Sequence, residues 1–273
     1  MSDGPFQGRV AKIFVFIGFS ALNSYNNTTL EDFDDPNHRW SSEHSNPCCL
    51  TTPFHRYRVY SVLNCLPSRE AVNRPGWTKL RAKGIRVKTN KETIQLLKSF
   101  GELNSQKAND WSGDFKLPKG IEEFYEVYGP VDLSIPAHGN AYYFPSLKKL
   151  REFQNGYSFN PVANELITDW SQDWIAVGYQ GGDPFIFSKK NGNILWALHG
   201  AGKWKPVDLF PNIDCMIACL AWIGKVVSEK GDCYMDDDCN IKPESIKLVR
   251  DKFVEILGKG ADVQNILEVL EWC

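Results

Sequence analysis

DWSQDWIAVGYQGGDPFIFSKKNGNILWALHG, residues 169–200, decides the fold. Residues 174–178 form an apolar run. Gln180-Gly181-Gly182-Asp183-Pro184 follows, where two glycines supply the positive φ that a tight reversal requires and the proline lacks a backbone donor. Phe185-Ile186-Phe187 is a second run, Asn191-Gly192 is a strong hairpin turn signal, and residues 193–198 form a third run containing Trp196. The economical reading is three consecutive antiparallel strands.

The chain around this meander has 273 residues, enough for one large domain or two modest ones. Apolar residues make up 42% and charged residues 23%, the balance of a globular protein. The net charge of −2 conceals an asymmetry. Residues 1–90 hold 12 Lys/Arg against 7 Asp/Glu, a surplus of 5, whereas residues 91–273 hold 19 against 26, a deficit of 7. Phosphate binding calls for a basic face, so nucleic acid is not the expected main partner of the acidic part; a basic protein suits it better. Eight cysteines occur without a CxxC pair, so zinc is not expected and reduced thiols in a cytoplasmic protein are. Cys215 and Cys219, one helical turn apart on an apolar stretch, read as small buried hydrophobes.

The N-terminal part is harder to assign. Residues 10–22 are largely apolar, and thirteen helical residues span only about 20 Å against the ~30 Å of a bilayer core, so no membrane-spanning helix is expected. Ile13-Phe14-Val15-Phe16-Ile17 suits a buried strand, and the length also fits a signal-peptide apolar region. Residues 23–74 are an irregular, polar stretch in which only residues 57–66 alternate like a strand. His38, His44, Cys48, Cys49 and His55 follow no ligand frame and read as a polar loop. A boundary is expected near Arg74-Pro75-Gly76, which gives an irregular segment of unknown role over residues 1–90.

Beyond it the periodicity becomes helical. Ile94, Leu97, Phe100 and Leu103 place an amphipathic helix over residues 91–103. Leu117-Pro118 opens a second helix, with Glu122 and Glu123 on the favourable end of its dipole and Gly129-Pro130 as its stop. Short strands are expected at residues 131–135 and 141–144, around the turn His138-Gly139-Asn140. Residues 146–153 read as a brief helix capped by Ser146, with Leu147, Leu150 and Phe153 on one face. After the meander, a long apolar helix starts near Pro211 and runs to Val227, the pattern of a core helix on a sheet. Two further helices close the chain: Pro243 opens one with the stripe Ile246, Val249, Phe253 and Ile256, and Asp262 caps another with Val263, Ile266, Leu267 and Leu270 inward.

No GxSxG, GxxxxGK[ST], HExxH or GxGxxG pattern occurs, so none of these catalytic or phosphate-binding frames is present, and no enzyme, cofactor or metal is expected. Residues 233–239, CYMDDDC, lack the alternation and the glycine of an EF-hand and read as a solvated acidic loop.

The order of these elements carries a resemblance. Leu117-Pro118, Phe124, Tyr128-Gly129, Phe144, Asp173-Trp174-Ile175, Gly181-Gly182-Asp183, Phe185, Ile194 and the apolar helix over residues 210–227 together resemble the SUKH superfamily, over roughly residues 91–228. That resemblance implies an α+β fold with a curved, mainly antiparallel sheet and helices on one side, here extended by the helical pair of residues 229–273. It also implies protein binding: many such domains resemble immunity proteins that neutralise a cognate toxin in the cytoplasm, and others are regulatory or scaffold modules.

Five residues are candidates for partner contact. Asp183 sits in the Gly-Gly-Asp-Pro turn, either holding its own backbone or reaching a partner, and Gly182 precedes it. Trp174 begins an apolar run and suits the core as well as an interface. Trp204, between Lys203 and Lys205 in a glycine-containing loop, has the character of an exposed hot spot. His199 is a conceivable acid or base, but no carboxylate is spaced to serve it in the sequence. The sequence leaves the partner's identity and the oligomeric state open.

Overall fold

The structure is a computed structural model and describes residues 91–273. The apolar readings at residues 10–22 and 57–66, the histidine and cysteine loop and the boundary near residue 75 lie outside the described residues.

Six strands form one sheet in the order β1-β2-β5-β6-β7-β8, with every neighbouring pair antiparallel. They are β1 (Leu133–Ile135), β2 (Tyr142–Phe144), β5 (Trp174–Gln180), β6 (Asp183–Ser188), β7 (Ile194–Trp196) and β8 (Val207–Phe210). Between β2 and β5 the chain leaves the sheet to make a small hairpin of β3 (Phe159–Asn160) and β4 (Glu165–Leu166). The fold is α+β. The meander is β5, β6 and β7, and Asp183 and Pro184 belong to the second strand, opposite Gln180 and Tyr179, because Gly181 (φ 60°) and Gly182 (φ 105°) complete the reversal by themselves.

One face of the sheet is covered by helices: α1 (Lys91–Phe100), α2 (Lys119–Val127), α3 (Ile213–Lys230), α4 (Pro243–Leu257) and α5 (Val263–Val269). Their apolar stripes and the inward strand residues share one core, which includes Leu97, Phe124, Phe144, Phe185, Phe210, Leu220, Phe253 and Trp272. The helical pair of residues 229–273 is therefore built into the same core as the sheet. Asn212 caps α3 by accepting from the Cys215 N–H at 2.8 Å, and Asp262 caps α5 by accepting from the Asn265 N–H at 3.2 Å. Cys215 and Cys219 are both buried; burial, with Asp214 nearby, pushes the Cys215 thiol up to about 12 even though Asn212 opposes it.

Two sequence expectations are corrected. The first helix stops at Phe100, and Leu103 instead bridges to Pro130, tying the loop after α1 to the end of α2. Residues 146–153 do not make one helix: two 3-10 turns, Leu147–Lys149 and Glu152–Gln154, take its place, and Ser146 makes no side-chain cap. The break has a physical reason, because the chain here passes from one face of the sheet to the other. Leu147 and Leu150 enter the main core, whereas Phe153 packs on the opposite side.

Gln154 anchors this passage. Its buried amide donates to the Leu150 carbonyl (3.0 Å) and the Ala176 carbonyl (2.9 Å), and its Oε1 accepts from the Ala176 N–H at 3.0 Å. β2 pairs with β5 only at Tyr179 and Gln180, so one glutamine does for Ala176 what a longer neighbouring strand would have done. Beside it the register of β5 shifts between Ala176 and Gly178. Val177 keeps the strand alternation and enters the main core, and the bulge turns Tyr179, which alternation would also point inward, onto the other face.

Candidate functional site

The face of the sheet away from the helices carries a second, smaller cluster. Trp170, Ala176, Ile186 and Ala197 are buried in it, with Phe153, Tyr157, Ile167, Trp174, Leu195 and Trp204 packed around them. Strand alternation explains its membership: Ala176, Ile186 and Leu195 are the residues between the inward-facing Ile175, Phe187 and Ile194. The rings form a continuous chain. Tyr143 meets Tyr179 at 5.1 Å between centroids, Tyr179 stacks on Phe153 at 5.7 Å, and Phe153 meets Tyr157 at 5.8 Å. Tyr157 then meets Trp170 at 5.7 Å and Trp204 at 5.8 Å, while Trp170 meets Trp174 at 5.6 Å edge-on. Such offset and tilted pairs suit the quadrupoles of the rings.

Of the five candidates from the sequence, Trp174 and Trp204 belong to this cluster, whereas Gly182, Asp183 and His199 lie at the β5–β6 turn and in the loop after β7 and are joined to it through Tyr157. Trp174 is half-buried and its carbonyl accepts from the Trp170 indole at 3.3 Å, so it serves the cluster as well as the surface. Trp204 is half-buried too, edge-on to Trp170 at 5.2 Å, and its backbone N–H donates to the Asp169 carboxylate at 2.9 Å. A loop residue is thereby held in place by a carboxylate on its amide and two rings on its indole.

His199 requires a correction. A carboxylate does serve it: Asp183 Oδ1 lies 2.5 Å from the ring Nδ1 and accepts from the His199 backbone N–H at 2.7 Å. The two residues are 16 apart in sequence, and the β6–β7 pairing brings them together. The carboxylate of Asp183 thus holds the neighbouring loop and not its own turn. Its side chain is 19% exposed and that of His199 is 56% exposed, so the histidine is the member that faces solvent. A carboxylate only accepts, which places the proton of the neutral ring on Nδ1 and leaves Nε2 as an outward acceptor.

Tyr157 links the dyad to the indoles. Its hydroxyl donates to the Gly182 carbonyl at 3.0 Å, and a Cβ on Gly182 would meet the His199 ring at 3.4 Å. Burial first, then Tyr179 and Asp183, push the Tyr157 hydroxyl up, so it remains a donor. Tyr157, Trp170, Asp169 and Gln154 were not singled out from the sequence. Residues 154–170 carry no period that reports a face, and the Asn160-Pro161 and Asn164 turn residues of the small hairpin were the available signal.

That hairpin stands beside the cluster with apolar side chains in water. Val162 is 95% exposed and Leu166 is 66% exposed. Elsewhere, the Asp236 carboxylate accepts from the backbones of Asp238 (3.0 Å) and Asn240 (2.8 Å), so the acidic loop uses it to hold its own turn. Among the described residues no group of three or more His, Cys, Asp or Glu side chains is placed to hold a metal ion, and no helix is long and apolar enough to cross a membrane.

Set against protein-family models, curated proteins and solved structures, the chain gives no match.

Proposed function

We propose that the chain is a non-catalytic protein-binding domain of the SUKH type, most specifically an immunity protein that neutralises a cognate toxin in the cytoplasm by direct association. The observation that carries this reading is the outer face of the sheet. It holds half-buried Trp174, Trp204 and Tyr157, with a His–Asp pair at one margin, in the pattern of aromatic anchors edged by polar groups that protein interfaces use. The exposed Val162 and Leu166 add apolar area of a kind that partners cover. The excess of 26 acidic over 19 basic residues across residues 91–273 favours a basic partner and disfavours nucleic acid.

The charge division of the chain favours a second reading, a regulatory or scaffold protein in which the basic residues 1–90 form a separate interaction unit. Co-expression with the product of a neighbouring toxin gene separates the two. The immunity reading expects rescue of growth and a one-to-one complex that Trp204→Ala, assayed where the variant is still folded, weakens by more than its own loss of stability accounts for. Partner capture that depends on residues 1–90 alone, with no rescue, supports the scaffold reading instead.

A further inference from the structure

Resting on the reading of the outer face as a partner surface, the geometry points to a recognition site for an arginine side chain, formed by Trp204, Tyr157 and the His199–Asp183 pair. Tyr157 joins the parts: its ring lies 5.8 Å from that of Trp204, and its hydroxyl is bonded to Gly182, whose backbone backs the His199 ring. Carboxylates sit at both ends, Asp169 on the Trp204 amide and Asp183 on His199.

Each part matches a property of guanidinium. It is a planar cation with donors and no acceptor, and it stacks on indole and phenol faces. In its neutral form the His199 ring carries its proton on Nδ1, against Asp183, so Nε2 accepts a hydrogen bond from guanidinium, while the two carboxylates supply opposite charge. An ammonium lacks the planar stack and is more strongly hydrated, so lysine fits less well. Lys203 and Lys205 flank Trp204 and are exposed, so the selection rests on stacking and on the His199 acceptor and not on the local charge alone. Asp183 is a positioning residue here, acting through the ring that it orients.

The test uses the full chain with isotope-labelled tryptophan and histidine, followed by NMR during titration with N-acetyl-arginine methylamide. The lysine and citrulline counterparts are controls, the latter keeping the shape and losing the charge. Saturable shifts of the Trp204 indole and His199 ring signals are expected with arginine, weaker by roughly fivefold with lysine and absent with citrulline. Trp204→Ala should weaken the arginine response by roughly fivefold. Asp183→Asn should also weaken it and alter the His199 nitrogen shifts that report the tautomer, a change that a merely structural role would not produce. Equal responses to arginine and citrulline, or no saturable shift at these two residues, overturn the inference. A chain that rescues growth from the toxin yet ignores the arginine probe overturns this site alone; one that binds the probe but no neighbouring toxin overturns the partner reading and leaves the site.

Discussion

Replacing Gln154 by leucine removes an amide and keeps its volume, so it isolates the value of a side chain that stands in for a missing stretch of strand. In the native protein Ala176 has both backbone groups satisfied by that amide, at 2.9 and 3.0 Å, in a site where Ala176 is fully buried. In Gln154→Leu the Ala176 N–H and C=O remain inside without partners. A buried backbone group left unpaired costs about 1–3 kcal/mol, and a water that reaches one of them recovers part of it. The expected loss is therefore ~2–4 kcal/mol, a large share of the 5–15 kcal/mol typical of a domain. Equilibrium urea unfolding followed by circular dichroism measures it directly, as a lower midpoint at an unchanged slope. For a unit of this size the same loss lowers the melting temperature by roughly 5–15 °C. Gln154→Met, which also lacks the amide, should fall by a similar amount. If Gln154→Leu unfolds within about 0.5 kcal/mol of the wild type, a range in which surface substitutions fall, then the glutamine does not hold the sheet edge and the argument fails.

Three other outcomes follow from the same structure. Gly178→Ala sets a Cβ 2.7 Å from the Tyr143 carbonyl and 2.8 Å from the Phe144 ring, so β2 must move off β5, and thermal melts should show a loss of about 1–3 kcal/mol. Asp132 is pulled two ways: burial pushes its carboxyl up, but hydrogen bonds from Lys149, the Ser146 N–H and Tyr143 outweigh that and hold it below the usual carboxylate range. A lowered folded-state value gives stability that is present above the usual carboxylate range and lost as pH falls through the folded value. Asp132→Asn should accordingly flatten the acid limb of a melting-temperature profile below about pH 4. Burial raises both the Cys215 and Cys219 thiols, so peptide mass mapping should find them unmodified after native iodoacetamide treatment at pH 8 and modified in urea, with exposed Cys233 and Cys239 modified in both.

Much of this was legible in the sequence, and for an identifiable reason. A strand or helix that buries one face writes its own period, so the meander, the apolar α3 and the α5 face of Val263, Ile266, Leu267 and Leu270 could be read directly and are buried as expected. Turn and cap chemistry is equally local: Gly181-Gly182, Asn212 and Asp262 act within a few residues of themselves. The helix expected at residues 146–153 failed because Leu147, Leu150 and Phe153 imitate a stripe while serving opposite faces of the sheet.

What the sequence determined by itself is the inventory: which segments are helix or strand, which sides are apolar, and that acidic residues gather in residues 91–273. The tertiary structure alone decided which of them meet. His199 acquired its carboxylate across the β6–β7 pairing, Trp204 was fixed by Asp169 across a separation of 35 residues, and Gln154 closed the edge of a strand 22 residues away. Such contacts depend on strand register and on the path of loops, and neither leaves a local period in the chain from which it could be read.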